Sequence, residues 1–382
     1  MVDFSKLCLQ TNTKPRTIKD LGVIEFKPRS NCETTFLMAP AEDQKNITGF
    51  VGPEFEGTFS IGCKSIREVI HKLKDVKKAI LENKVANTNY NEYSRNWADT
   101  IERLPSIAQI YTCTKYLLHT SSPLIYDVPH EDGGGIECVL KPATLKAHHI
   151  LKPEYERILN LYKELGFTDE LPGAGLHIYI DDSLFGSTTE QINNNYTHFL
   201  WFLFKHQDEM LTISQRKYSS QLNADMYSML GNTLGNMSDE EYEKAFKNSK
   251  ASILEALKSP RKEYKRYLNI SIHRDQRPAS EFRWFSSTMN ITIFMSFIEF
   301  GFAVPAWTHT LSDESQVSFI SFCNFIKQNV STYPHIFDYF CSLPEIQGYM
   351  NLESMLPPEQ LDLRPIEQQR RRVERIELAY AD

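Results

Sequence analysis

Four short stretches of this chain alternate apolar and polar residues with a period of two: PEFEG at 53–57, GLHIYID at 175–181, YLNISIH at 267–273 and SEFRWF at 280–285. That period belongs to strands whose two faces meet different surroundings. Leu176, Ile178 and Ile180 oppose His177, Tyr179 and Asp181, and Leu268, Ile270 and Ile272 oppose Asn269, Ser271 and His273. Phe282 and Trp284 oppose Glu281 and Arg283, with Phe285 expected on the side of the acid, and Phe55 opposes Glu54 and Glu56. Such strands fit an antiparallel sheet with one face packed on helices and the other open. The fold class expected is therefore α+β.

A merely solvated face would carry mostly lysine, threonine and serine. This one gathers Glu54, Glu56, His177, Asn269, His273, Glu281 and Arg283. Carboxylates do not converge without a cation, because like charges repel and raise one another's pKa. One imidazole among carboxylates suits Mg²⁺ or Mn²⁺, which prefer oxygen, better than Zn²⁺. An isolated Glu-x-Arg on a strand is more often an exposed salt bridge, so the reading depends on these strands being neighbours.

Between the strands lie helical patterns. Ile66, Val69, Ile70, Leu73, Val76 and Ile80 recur at helical spacing, as do Tyr155, Ile158, Leu159, Tyr162 and Leu165 in KPEYERILNLYKELGF. Residues 188–211 read as one long helix with the core run FLWFLF, and MNITIFMSFIEFGFAV as a buried helix rather than a membrane span, since Glu299 interrupts it. Ser238 and Glu241 have capping-box spacing. Cys138 is expected in the core opposite Glu137, and the His148–His149 pair on the surface. Arg370, Arg371 and Arg372 fit a solvated face.

A net charge of −7 argues against a nucleic-acid partner. Seven cysteines without a C-x-x-C pair fit reduced thiols, hence a cytoplasmic protein, and the first residues carry no secretory pattern.

The ordered set resembles the amidoligase family, ATP-dependent carboxylate–amine ligases with a glutamine synthetase-like fold. The chain offers G-P-E-F-E at 52–56, YDVPHEDGGGIECVLKP around Glu137, GAGLHIYID around His177, SQRKY at Arg216, KRYLN at 265–269 and EFRWFSST at 281–288, in the family's order over roughly residues 50–305. The most specific piece is E-F-R-x-F-x-x-T before an apolar helix. LGVIEF, the other first-strand candidate, carries only Glu25. Three positions depart from the family pattern. Tyr179 replaces the second histidine of G-x-H-x-H, Lys141-Pro142 replaces Ser-Pro, and Ser287 replaces a glycine.

The resemblance implies a curved, largely antiparallel sheet whose polar face forms a funnel. It implies a catalytic domain over 51–310, in which a helical insert around 62–120 exceeds what the family pattern needs; residues 1–50, irregular and punctuated by prolines, read as an N-terminal extension packed on that domain, and 311–382 as a C-terminal helical extension. It implies Mg²⁺ (or Mn²⁺) held by Glu54, Glu56, Glu137, His177 and Glu281. Arg283 and Glu281 then serve catalysis, while Arg216, Arg266, Asn269 and Tyr179 serve nucleotide or substrate binding. The partners implied are ATP and an amino-acid or peptide substrate, with no membrane; a homo-oligomer or larger assembly fits the fold. Two other readings stay open: a weakened member kept as a structural or interaction protein, and a metal-dependent hydrolase.

Overall fold

The computed structural model describes residues 16–27, 35–47, 49–59, 118–119, 121–128, 130–131, 135–164, 167–168, 174–215, 268–272 and 278–351. Two short antiparallel strands, β1 (Ile24–Phe26) and β2 (Phe36–Met38), form a small sheet of their own. The main sheet contains β3 (Val51–Phe59), β4 (Ile125–Asp127), β5 (His130–Glu131), β6 (Gly135–Leu140), β7 (Phe167–Thr168), β8 (Gly175–Asp181), β9 (Leu268–Ile272) and β10 (Pro278–Ser286). Its order is β4-β6-β3-β8-β10-β9, with β5 beside β6 and β7 beside β3, and every pairing is antiparallel. Among the described residues the helices are α1 (Leu145–Glu164), α2 (Thr189–Lys205), α3 (Gln207–Ser214), α4 (Ile291–Thr308), α5 (Phe319–Gln328), α6 (Pro334–Ser342) and α7 (Pro344–Asn351). The fold is thus α+β with an antiparallel sheet.

The apolar strand faces make the core. Phe55, Leu176, Ile178, Ile180 and Phe282 are fully buried. They meet α1 and α4: the Phe55 ring lies 4.7 Å from Tyr162 and 5.9 Å from Phe294, and Phe282 lies 5.7 Å from Phe300. Burying one such side chain contributes about 1.5–3 kcal/mol. Asn290 caps α4 by accepting from Thr292 and Ile293 backbone N–H groups, and Thr188 caps α2 through Gln191. Helix α4 is long and apolar enough to cross a membrane, yet it is mostly buried inside the protein.

Four local expectations are corrected. Phe285 faces the core, stacking on Phe297 at 3.9 Å. Pairing of β10 with β8 passes from Phe282↔Ile178 to Phe285↔Leu176, so Arg283 and Trp284 together stand against His177. This bulge returns Phe285 to the apolar side. The stretch 188–211 is broken at His206, whose Nε2 accepts the Phe319 N–H that opens α5. Helix α1 starts at Leu145, seven residues before Lys152, because the Thr144 hydroxyl accepts the Ala147 N–H. His148 therefore lies inside the helix and is fully buried. Its neutral ring donates from Nε2 to the Val51 carbonyl at 2.9 Å and accepts at Nδ1 from the Tyr155 hydroxyl at 2.8 Å. His149 is about one-third exposed and reaches Glu299.

Cys138 and the described side chains of FLWFLF are buried in the core. Arg216, Arg266, His273, the 62–117 helical pattern, the Ser238 capping box and the Arg370–Arg372 run lie outside the described residues.

Candidate functional site

The sheet order places β6, β3, β8, β10 and β9 side by side, and their registers align the polar residues. Glu137 pairs with Glu56 across β6 and β3, and Glu54 pairs with His177 across β3 and β8. Glu281 of β10 stands opposite Tyr179 of β8 on one side and Asn269 of β9 on the other. A stepped row of seven site candidates thus crosses five adjacent strands.

At its centre is His177. Nδ1 lies 3.0 Å from Glu54 Oε1 and 3.5 Å from Glu281 Oε1, while Nε2 lies 3.2 Å from Glu56 Oε1. Arg283 closes the group, with Nη1 at 2.6 Å from Glu281 Oε1 and Nη2 at 3.9 Å from Glu56 Oε1. The bulge on β10 aims it there, a common use of an extra strand residue beside a site. The other Glu56 oxygen accepts the Gly175 N–H at 2.6 Å. A side chain at Gly175 would meet the His177 ring at 3.0 Å, so the glycine lets the strand pass beneath it.

The polar face is not open as the alternation implied. Glu54, Glu56, His177 and Glu281 are all under 7% exposed, and Arg283 is the most accessible of the group at 30% of its side chain. These acids are buried together because they are partnered by an imidazole, a guanidinium and a backbone N–H. Burial works against the charged Arg283, but Glu281 and then Glu56 outweigh it and hold its pKa above the ordinary arginine value. The Tyr179 hydroxyl is held strongly protonated, first by burial and then by the charges of Glu281 and Glu54.

Ligand atoms of Glu54, His177 and Glu281 lie within 4.8 Å of one another. Two carboxylates and one imidazole there, with Glu56 against the other nitrogen of the same ring and Glu137 paired to Glu56 on the neighbouring strand, offer mainly oxygen donors, the kind Mg²⁺ or Mn²⁺ prefers. The side chains of Asn269 and the rest of β9 are not described, so that strand contributes its register alone.

Two departures from the family pattern have structural partners. The Ser287 hydroxyl donates to the Glu56 carbonyl, tying the end of β10 to β3. Lys141 pairs with Glu25, which also accepts from the Thr35 hydroxyl, so Glu25 is engaged away from the row.

A second group, His149, Glu299 and His335, contributed by α1, α4 and α6, lies outside the residues expected from sequence. The glutamate inside an apolar helix was its one visible signal. No family model matches the chain, and no curated protein matches it.

Proposed function

We propose that this chain is a cytoplasmic ATP- and Mg²⁺-dependent carboxylate–amine ligase with a glutamine synthetase-like sheet, joining an amino acid or peptide to an amine. The observation that carries the reading is the convergence of Glu54, Glu56, His177, Glu281 and Arg283 from three neighbouring strands, beside Glu137 on a fourth. A lone surface salt bridge would leave Glu281 and Arg283 without that company.

A carboxylate does not react with an amine at neutral pH because its oxygen is a poor leaving group. Transfer of the ATP γ-phosphoryl group to that oxygen gives an acyl phosphate. The amine then attacks the carbonyl carbon, the C–O bond to phosphate breaks, and the amide, ADP and phosphate leave. Catalysis of such transfers is mainly positioning and charge neutralisation. Glu54, Glu56, Glu137, His177 and Glu281 would hold the divalent cation, which when bound neutralises phosphate oxygens. Arg283 exchanges part of its pairing with Glu281 for the moving phosphoryl group, and its planar fork meets two oxygens at once. Tyr179, kept protonated, orients a substrate group or Glu54 as a hydrogen-bond donor. Arg216, Arg266 and Asn269 complete the proposal as nucleotide or substrate contacts.

The test is thermal stabilisation by Mg²⁺ together with a non-hydrolysable ATP analogue, for wild type and Glu281→Gln. A rise in Tm that needs both ligands and disappears in the variant supports the ligase. Turnover of ATP should likewise be lost in Glu281→Gln and in Arg283→Ala; full turnover in both folded variants would remove the site assignment. Tyr179, a poor Mg²⁺ ligand in the place of the second histidine, favours a second reading, a fold retained for partner binding. A well-folded wild type with no shift supports that one.

A further inference from the structure

Glu299 sits in the middle of the apolar helix α4 and is completely buried. An isolated buried carboxylate would be strongly disfavoured. Here one oxygen, Oε1, meets His149 Nε2 at 2.8 Å and His335 Nδ1 at 2.6 Å, and the other accepts the Ile336 N–H at 2.9 Å. Burial alone would raise the Glu299 pKa, but these bonds outweigh it and hold it below the usual carboxylate value. The two imidazole rings lie 5.6 Å apart.

This group is separate from the strand cluster. Gly301, two residues along α4, packs on Ile178 and Val51, the apolar face of the sheet opposite His177. Glu299 instead faces α1 and α6.

We propose that His149, Glu299 and His335 form a second metal site, one that takes Zn²⁺ rather than Mg²⁺. Two imidazoles and one carboxylate are a borderline-soft donor set, and three protein ligands leave a fourth position for water or a ligand. Their ligand atoms lie within 4.8 Å of one another, and tetrahedral zinc bonds of ~2.1 Å place ligand atoms roughly 3.4 Å apart. The metal-free contacts open by less than an ångström to reach that. The bond from the Ile336 N–H to the second Glu299 oxygen is the kind of outer contact that fixes a ligand's orientation. A cleft of about 1280 Å³ reaches one of the three ligands, His149, and is lined also by Tyr333, two residues before His335.

Lys152 sharpens the proposal. Its ammonium donates to His335 Nε2 at 2.9 Å, which fixes the proton of the neutral ring on Nδ1. Metal at Nδ1 requires that proton to shift to Nε2, so the Lys152 contact is given up. Lys152 therefore competes with the metal.

The experiment is equilibrium dialysis of the full chain against Zn²⁺, after chelator treatment and with excess Mg²⁺ to occupy the strand cluster. Co²⁺ absorption reports the geometry. Wild type should bind one Zn²⁺ and give a tetrahedral Co²⁺ spectrum. His335→Ala and His149→Gln should each weaken binding at least 100-fold. His177→Ala should leave it unchanged, and Lys152→Met should tighten it several-fold. No stoichiometric Zn²⁺ on wild type overturns the proposal. So does binding that neither His335→Ala nor His149→Gln reduces. Either result is independent of the ATP and Mg²⁺ measurement.

Discussion

Among the described residues, Arg283 is the guanidinium that stands with the three buried carboxylates, and its hydrogen bond to Glu281 and ion pair with Glu56 are part of what allows those acids to be buried. Removing one partner of such a group leaves the other uncompensated. Arg283→Ala should therefore lower stability in metal-free buffer by about 1–3 kcal/mol, a discounted figure because the arginine is partly exposed. Added Mg²⁺ should recover more of the melting temperature in the variant than it adds to wild type. An equal Mg²⁺ effect on both proteins would mean that the cation and Arg283 do not neutralise the same carboxylates.

His148 carries a second residue-level prediction. Burial pushes its imidazole from 6.5 down to about 3, and its two hydrogen bonds suit the neutral ring. The folded pKa lies below the unfolded one, so the unfolded chain binds more protons between these values. Its stabilising contribution is complete above pH 6.5 and is lost as pH falls toward 3. Glu299 acts in the same direction but only below its ordinary value of 4.5. Urea unfolding at pH 7, 5.5 and 4.5 should show a steeper loss for wild type than for His148→Gln. Parallel curves would mean that the ring is not buried neutral.

At the scale of elements, Gly301 sets how closely α4 approaches the sheet. A Cβ there would meet Ile178 at 2.9 Å and Val51 at 3.2 Å, both stiff core side chains. Gly301→Val should destabilise by about 1–3 kcal/mol, read as a lower urea midpoint with unchanged slope. Much of this layering was legible, because a period of two shows which residues share a face. Leu176, Ile178 and Ile180, which the period places on one face, lie in the core. Which strands are neighbours was not legible, since alternation names a face and not a partner. The bulge at Arg283 and Trp284 escaped because an extra residue breaks the period itself. His148, expected on the surface with His149, is buried because α1 begins at Leu145 rather than after it. Successive helical residues point about 100° apart, so one ring turns inward and the other toward Glu299.

Across the whole molecule, α5, α6 and α7 belong to the same core as the sheet. Phe319, Phe322, Ile326, Ile336 and Phe340 are fully buried with the residues of α4, and Phe322 meets Phe300 and Trp307 at 5.8 and 5.3 Å. A chain ending at residue 310 loses that layer and exposes the far side of α4. It should fail to unfold cooperatively in urea or heat. A sharp transition in that fragment would show that the C-terminal helices are an addition and not part of the core.

The register of β3 against β8 has a consequence of its own. Glu54 faces His177 and Phe55 faces Leu176 along one continuous ladder. A slip of a single residue turns the glutamates into the apolar layer and the phenylalanine out of it. Chemistry and packing are therefore one setting, read twice. A deletion within β3 is not a local injury that trims activity while sparing the fold. Any lineage that keeps this sheet folded inherits the acidic row intact, and can alter it by exchanging side chains but not by shifting them along.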